Sequence, residues 1–403
     1  MTEFQFDQEI DRFNTHCLKW ESEPGADHKT LPGESAYARH GDERLLPLWV
    51  ADMDFRSPPE VIEALVERAA HGVYGYSTPA DCYYEAVQDW MVRRYNREVQ
   101  RDWIVITPGV VAALKMMIQA YTQPGDKVII QTPVYHPFHS AVEENDRRLV
   151  YNPLKRVGDR YEMDFEDLER KVIDPLVKLA ILCSPHNPVG RVWTPEELRR
   201  FGEICLDNGV LVISDEIHAD LIYDGFTFAS FACLGERFAQ FSVICTAPSK
   251  TFNLAGLKLS NIIIENDVLR AGLEKVLSQN GASGTNAFGI VAAEAAYRYG
   301  EPWLEAVMAY IQENYSFLTA FIAENMPQLT VIPPEGTYLV WIDFSALGLD
   351  PEERRRLLLE DAHVWLNEGR IFGPEGAGFE RINIACPRQI LAEALHRIRT
   401  VIQ

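Results

Sequence analysis

Four side chains in this sequence have the types and settings that carry covalent and acid–base chemistry: Lys250, Asp215, Asn187 and Arg381. Lys250 follows the apolar run Phe241, Val243, Ile244, Cys245 and the small turn Thr246-Ala247-Pro248-Ser249. The run reads as a buried parallel strand, and proline ends it. The lysine therefore falls just past the strand's carboxyl end, where open α/β sheets bind ligands. No GxxxxGK[ST] phosphate loop precedes it. One use of such a lysine is a Schiff base with an aldehyde cofactor; an ordinary lysine after a core strand is the plain alternative. Asp215 ends a second apolar strand in VLVISDEIH, and Asn187 lies where a third, ILCSPHNPVG, runs into an Asn-Pro turn. Arg381 heads a further strand in FERINIAC. The offsets are 28 residues from Asn187 to Asp215, 35 from there to Lys250, and 131 on to Arg381.

Positioning these residues takes a particular order of elements. Phe6, Ile10, Phe13 and Leu18 have near-helical spacing and suggest a short amphipathic helix or arm over 4–20. Residues 21–44 hold Pro24, Gly25, Pro32 and Gly33 and read as loop. LPLWVADMDF, 46–55, is an extended lead-in. Ser57-Pro-Pro-Glu60 predicts a capping-box start with proline in the first turn, and the helix runs to about Ala70, before Gly72. A loop with two tyrosines, GVYGYSTPA, follows, and Asp81 is expected to cap a second helix to about Tyr95. Strand 103–110 leads through a Gly turn into helix 111–121. Strand and helix signals then alternate to about residue 285, the pattern of a mostly parallel sheet covered on both faces. Beyond 290 the pattern is helix 301–325, strand 337–344, helix near 351–366, strand 380–386 and helix 388–402, a smaller α+β unit.

Composition narrows the class. A chain of 403 residues suggests two or three domains, and 47% hydrophobic residues is a soluble globular content. A formal charge of −21 argues against nucleic acid and anionic membrane surfaces as partners, while leaving room for a locally cationic site. Seven scattered cysteines without a C-x-x-C pair suit a reducing cytosol, and no zinc-ligand spacing is present, so no metal is expected. The start MTEFQFDQEIDRF carries acids where a secretory signal needs bases and an apolar core, and no apolar run is long enough for a membrane span. A cytoplasmic protein is the expectation.

Taken together, the Asn-Pro turn, SDEIHADL, APSKTFNLAGL and RINIA resemble the aminotransferase-like, fold type I pyridoxal phosphate enzymes. SDEIHADL with APSKTFNLAGL resembles one group within them, the MalY/PatB-type cystathionine β-lyases or C–S lyases, and ADMDF at 51–55 and HGVYGYS at 71–77 fit the same group. The resemblance runs from about Trp49 to Arg388. It implies an α/β fold with a large cofactor-binding domain, 52–290, and a small domain made of 1–51 with 291–403. It also implies a homodimer acting on a small amino-acid substrate. The activity implied is cleavage of cystathionine or other cysteine S-conjugates to thiol, pyruvate and ammonia. An aminotransferase would use the same residues, and a pyridoxal-phosphate-binding regulator acting by protein contact is a further alternative.

Roles follow from the resemblance residue by residue. Lys250 is the Schiff-base lysine and general base. Asp215 holds the pyridine nitrogen protonated, since a carboxylate beside a cation favours the charged form; a helix N-cap is its plain alternative. Asn187 donates to the cofactor's phenolic oxygen, and Tyr135 stacks on the ring. His218 stands where many relatives have Tyr, and either it or Tyr223 faces the same oxygen. Gly109, Val110 and Val111 offer backbone N–H groups to the phosphate, joined by Ser249 and by Lys258, which replaces the Arg of many relatives and lacks its fork. Tyr76 reaches the phosphate of the other subunit. Arg381 pairs with the substrate α-carboxylate, with Arg388 the less favoured choice, and Trp49 and Ala51 close the other side.

Overall fold

Seven strands make the central sheet: β1 (Ile104–Thr107), β2 (Lys127–Ile130), β3 (Arg148–Tyr151), β4 (Val177–Cys183), β5 (Leu211–Asp215), β6 (Ser242–Thr246) and β7 (Ser260–Ile263). This computed structural model describes residues 4–22 and 44–402. The order across the sheet is β1-β7-β6-β5-β4-β2-β3, and β7 alone runs antiparallel to its neighbours. β5 and β6 are buried at every position, which is why they read as continuous Val/Ile runs. Helices α1 (Pro59–Ala70), α2 (Asp81–Tyr95), α3 (Val110–Tyr121) and α4 (Ala287–Tyr299) pack around this sheet, α4 against α1 and α2. The α/β fold with a mostly parallel sheet is as the sequence implied.

A second, antiparallel sheet follows α5 (Glu301–Asn325). Its strands β8 (Thr330–Ile332), β9 (Leu339–Asp343), β10 (Asn367–Glu368) and β11 (Phe379–Asn383) lie in the order β8-β9-β11-β10, and α6 (Arg388–Ile402) ends the chain. The N-terminal lead-in joins this region: Leu46–Pro47 pairs in parallel with Val364–Trp365, and Asn383 N–H donates to the Leu48 carbonyl at 2.9 Å. Among the described residues no helix is long and apolar enough to cross a membrane.

Several local expectations fail, each for an identifiable reason. Of the helix or arm expected over 4–20 the structure has the arm, helical only over Leu18–Glu21, because its apolar residues face separate neighbours instead of one stripe: Phe6 packs on Phe55 and Trp303, Phe13 on Trp20. The loop expected over 21–44 lies, apart from its ends, outside the described residues. Ser57 is not a cap; Pro58 is the N-cap of α1, and the Ser57 hydroxyl turns to the Asn253 carbonyl instead. Asp81 is the first helical residue of α2, behind the N-cap Ala80, where its charge meets Arg101. The helix expected over 351–366 stops as an α-helix at Arg356, widens into a π turn over Leu357–Asp361, and gives way to the strand paired with Leu46–Pro47. A partner remote in sequence overrode the local helical pattern.

Candidate active site

The carboxyl ends of β4, β5 and β6 stop in register, Cys183 opposite Asp215 and Asp215 opposite Cys245. The residues that follow them open on one cavity of about 370 Å³. β7 runs the other way, so the residues before it, Lys258 and Leu259, reach the same edge. Across the sheet order the lining is Gly109–Val111 after β1, Lys258 before β7, Ser249 and Lys250 after β6, Asp215 and His218 after β5, Asn187 after β4, and Tyr135 after β2. Ala51 from the lead-in completes it.

Lys250 stands on a single helical turn, Pro248–Thr251, tied down by Thr251 Oγ1 donating to Asp220 at 2.7 Å. Its Nζ donates to the Ala51 carbonyl at 2.6 Å. Burial draws the ammonium down to about 8; Asp52 and Asp215 oppose the shift and Arg381 reinforces it. Such an amine is a competent nucleophile and base near neutral pH. Asp215 is followed by turns, not a helix, and among the described residues its Oδ1 accepts only the Ile217 N–H, at 3.3 Å. Burial pushes its carboxyl up to about 7, against the pull of Ile217 and Lys250. A buried carboxyl this poorly paired calls for a cationic partner, which a protonated pyridine nitrogen is.

The amino end of α3 is suited to a phosphate. No side chain caps it, and its N-cap Gly109 has φ 105° and ψ 152°, a region open to glycine alone. A Cβ there would meet nothing within 4 Å, so the glycine serves the backbone path and not a close approach. The free N–H groups of the first turn, the Ser249 hydroxyl and the Lys258 ammonium share the cavity. His218 is buried, with Nδ1 lacking a partner among the described residues; burial holds the ring neutral, helped by Lys250 and Arg381. Tyr223 is outside the cavity, its ring against Tyr315. Of that pair, His218 is the one at the site. Tyr135 lines the cavity, and burial raises its phenol to about 12.

Arg381 pairs across β11 with Trp341 of β9 and Asn367 of β10. Its guanidinium donates to Asn187 Oδ1 and to the Trp49 carbonyl, both at 2.9 Å, and to Asn367 Oδ1, and lies 4.8 Å over the Phe372 ring. Burial lowers it to about 10. Among the described residues its hydrogen-bond partners are two amide oxygens and one backbone carbonyl, none of them charged, so the cation is positioned but not neutralised by them. Trp49 takes part through its backbone; its ring stacks on Trp365 at 4.2 Å, outside the cavity lining. Arg388 lies apart, at the start of α6 beside Asn314 and Glu313. Tyr76 is fully exposed on the 72–80 loop, away from this cavity.

The site also uses residues that sequence reasoning did not single out. Tyr338 Oη donates to the Ala51 carbonyl at 2.9 Å, and its ring meets His218 edge-on at 6.1 Å. Asn383 and Asn253 fix the backbone around Ala51. Asn253 had a local signal, lying three residues past Lys250 in TFNLAG; Tyr338 and Asn383 had none beyond membership of apolar strands.

Residues 43–398 match the sequence model of the family described as aminotransferase class I and II. Cystathionine beta-lyase PatB of Bacillus subtilis (strain 168) is 45% identical over 397 residues, 98% of this chain and 99% of PatB. Protein MalY of Escherichia coli (strain K12) is 33% identical over 394 residues, 97% of each chain. The crystal structure of cystalysin from Treponema denticola, which contains a pyridoxal 5′-phosphate cofactor, superposes with a TM-score of 0.94 at 38% identity, covering 99% of both chains. A buried lysine and aspartate on one sheet edge with an uncapped helix end fit that cofactor. Similarity over the whole chain and the fit of this cavity lead to one conclusion: the chain belongs to the MalY/PatB-type C–S lyases, pyridoxal-phosphate-dependent fold type I enzymes within the aminotransferase class I and II family.

Proposed function

We propose that this enzyme cleaves the Cβ–S bond of L-cystathionine or a related cysteine S-conjugate, giving a thiol, pyruvate and ammonia with uptake of one water. The observation that carries the assignment of roles is the convergence of the Lys250 amine, the Asp215 carboxyl and the uncapped end of α3 on one cavity. The choice of substrate rests on the relatives named above.

Bound pyridoxal phosphate supplies an electron sink that lets the substrate Cα–H bond ionise. Lys250 anchors the cofactor and, once released by the substrate amine, accepts the Cα proton at Nζ; an amine at about 8 is partly neutral at physiological pH. Asp215 holds a proton at the cofactor's ring nitrogen. Asn187, fixed by Arg381, and His218 would hold the phenolic oxygen, and Tyr135 would support the ring. The N–H groups of Val110 and Val111, with Ser249 and Lys258, hold the phosphate. Arg381 binds the substrate α-carboxylate, with the Trp49 carbonyl and Ala51 closing that wall. The electron pair left by the proton expels the thiolate from Cβ, and Lys250 or a tyrosine protonates the sulfur. The three-carbon enamine hydrolyses to pyruvate and ammonia.

The same reading includes a cytoplasmic homodimer. The division is read as 52–290 for the cofactor domain and 1–51 with 291–403 for the small one, with α4, packed on α1 and α2, spanning the boundary. Pairing of Leu46–Pro47 with Val364–Trp365 supports that division. The deciding experiment supplies L-cystathionine without any keto acid. Homocysteine, pyruvate and ammonia are expected in equal amounts. A requirement for a keto acid, with the cofactor accumulating as its amine, would replace this reading with an aminotransferase.

A further inference from the structure

The lead-in 50–55 forms no regular strand there, yet five of its six carbonyls, all but that of Asp54, accept a hydrogen bond from a side chain. Asn383 Nδ2 donates to the Val50 and Asp52 carbonyls, both at 2.6 Å. Asn253 Nδ2 donates to the Met53 and Phe55 carbonyls at 2.9 and 3.0 Å, and its Oδ1 accepts the Met53 N–H at 3.0 Å. The carbonyl between these clamps, that of Ala51, is shared by Lys250 Nζ and Tyr338 Oη. On the other side the two acids of the segment are gripped by the N-terminal arm. Arg12 donates to Asp52 at 2.8 Å and Asp54 at 2.6 Å. Lys19, fully buried, donates to Asp54 at 2.6 Å and to the Asp52 carbonyl at 3.3 Å, and Trp20 Nε1 donates to Asp54 at 2.8 Å. Two cations meet two carboxylates, so the cluster is balanced, and burial that opposes the charge on Lys19 is overcome by Asp54 and Asp52.

We propose that the N-terminal arm is a positioning element of the active site: through Asp52 and Asp54, Arg12 and Lys19 set where Ala51 presents its carbonyl to Lys250, and how much of the Asp52 charge reaches that amine. The proposal rests on the reading of Lys250 as the cofactor-bearing base. A hydrogen-bond acceptor fixed at 2.6 Å gives the released amine a definite place to carry its proton. The charges bearing on Lys250 come from several elements: Asp52 on the lead-in, Asp215 after β5, Arg381 on β11. Lys258 and His218 also line the cavity, and the Tyr338 phenol, bonded to the Ala51 carbonyl behind it, stays protonated because burial raises it. Asp52 is the charge in this set that the arm controls. Its partners are Arg12, which is part-exposed, and Lys19.

The test uses Arg12→Gln and Asp52→Asn, which keep hydrogen-bonding groups at part-exposed positions, and Arg12→Lys as rescue. Apo-protein is prepared from each, and reaction of Lys250 with an amine acylating reagent is followed against pH by peptide mass spectrometry. Asp52→Asn should move the midpoint for Lys250 down and Arg12→Gln should move it up, each by about half a pH unit, the scale of one charge at moderate distance in a partly screened site. Arg12→Lys should return it to the wild-type value. In the holoenzymes, kcat should fall several-fold for both variants with little change in KM. If both variants lose thermal stability while the Lys250 midpoint stays at the wild-type value, the arm is purely structural and the proposal is overturned. Borohydride reduction of the holoenzyme separates this failure from that of the underlying reading: a label on another lysine overturns the site itself, whereas a label on Lys250 with an invariant midpoint overturns only the role of the arm.

Discussion

On the proposed reading Lys250 carries two duties in one amine, so its loss cannot be made good by a neighbour. Lys250→Ala should abolish the covalent link to the cofactor and nearly all turnover; borohydride labelling at another lysine would refute the assignment. Asp215 gives a pH signature. Its folded value of about 7 lies above the ordinary 3.8, so relative to a side chain that does not titrate this carboxyl costs the cofactor-free protein nothing below about pH 4 and its full burial cost once pH has risen through about 7. Asp215→Asn removes that term, on the order of a few kcal/mol. The apo variant should therefore melt above apo wild type at pH 8 and lose that lead by pH 4, while its kcat/KM falls roughly a hundredfold or more. Parallel melting curves across that range would mean the carboxyl is already well paired. Arg381→Ala should leave cofactor binding near normal and reduce kcat/KM about tenfold to more than a hundredfold, the effect of about 1.5–3 kcal/mol from a charge-assisted hydrogen bond. Undiminished kcat/KM would move the carboxylate site elsewhere.

At the scale of elements, function depends on where strands stop and helices start. β4, β5 and β6 end in register, which places their following residues on one rim. α3 begins beside that rim, and its N-cap glycine takes a backbone conformation that costs another residue about 1–3 kcal/mol. Gly109→Ala should weaken cofactor binding by roughly five- to a hundredfold, measured by fluorescence titration of apo-protein, as the first turn shifts away. Unchanged affinity would exclude the amino end of α3 as the phosphate site. The π turn at Leu357–Asp361 shows the opposite influence, since that segment leaves helical form where a strand partner from the lead-in competes for it.

At the scale of the whole molecule the proposed homodimer makes its own prediction. Tyr76 points fully into solvent from a loop that also exposes Val73 and Tyr74, an unusual concentration of apolar surface for a lone subunit. If that loop crosses to a partner, Tyr76 completes the partner's phosphate site. Mixing Tyr76→Phe subunits with Lys250→Ala subunits should then restore activity in hybrid dimers, each of which holds one intact site. Should Tyr76→Phe alone impair catalysis while the mixture recovers nothing beyond its parents, the tyrosine acts within its own subunit.

The sequence by itself determined the α/β fold and the strand-end placement of Lys250, Asp215 and Asn187, because these rest on local rules, while the cofactor came from its resemblance to the fold type I enzymes. An apolar run closed by proline reads as a buried strand end wherever it occurs. Local rules misjudged Ser57 and Asp81 by one residue each: Pro58 and Ala80 are the N-caps, and proline's fixed φ accounts for the first. Only the tertiary structure decided that His218 and not Tyr223 faces the cavity. Only it showed that Arg381 is held by Asn187, and that Lys250 and Tyr338 meet on one carbonyl across 199 and 287 residues of chain. It alone brought Arg12 and Lys19 to the acids beside that carbonyl. Side chains that clamp an irregular backbone segment leave no periodic trace in a sequence; their partners are chosen by how the packed elements bring distant stretches together.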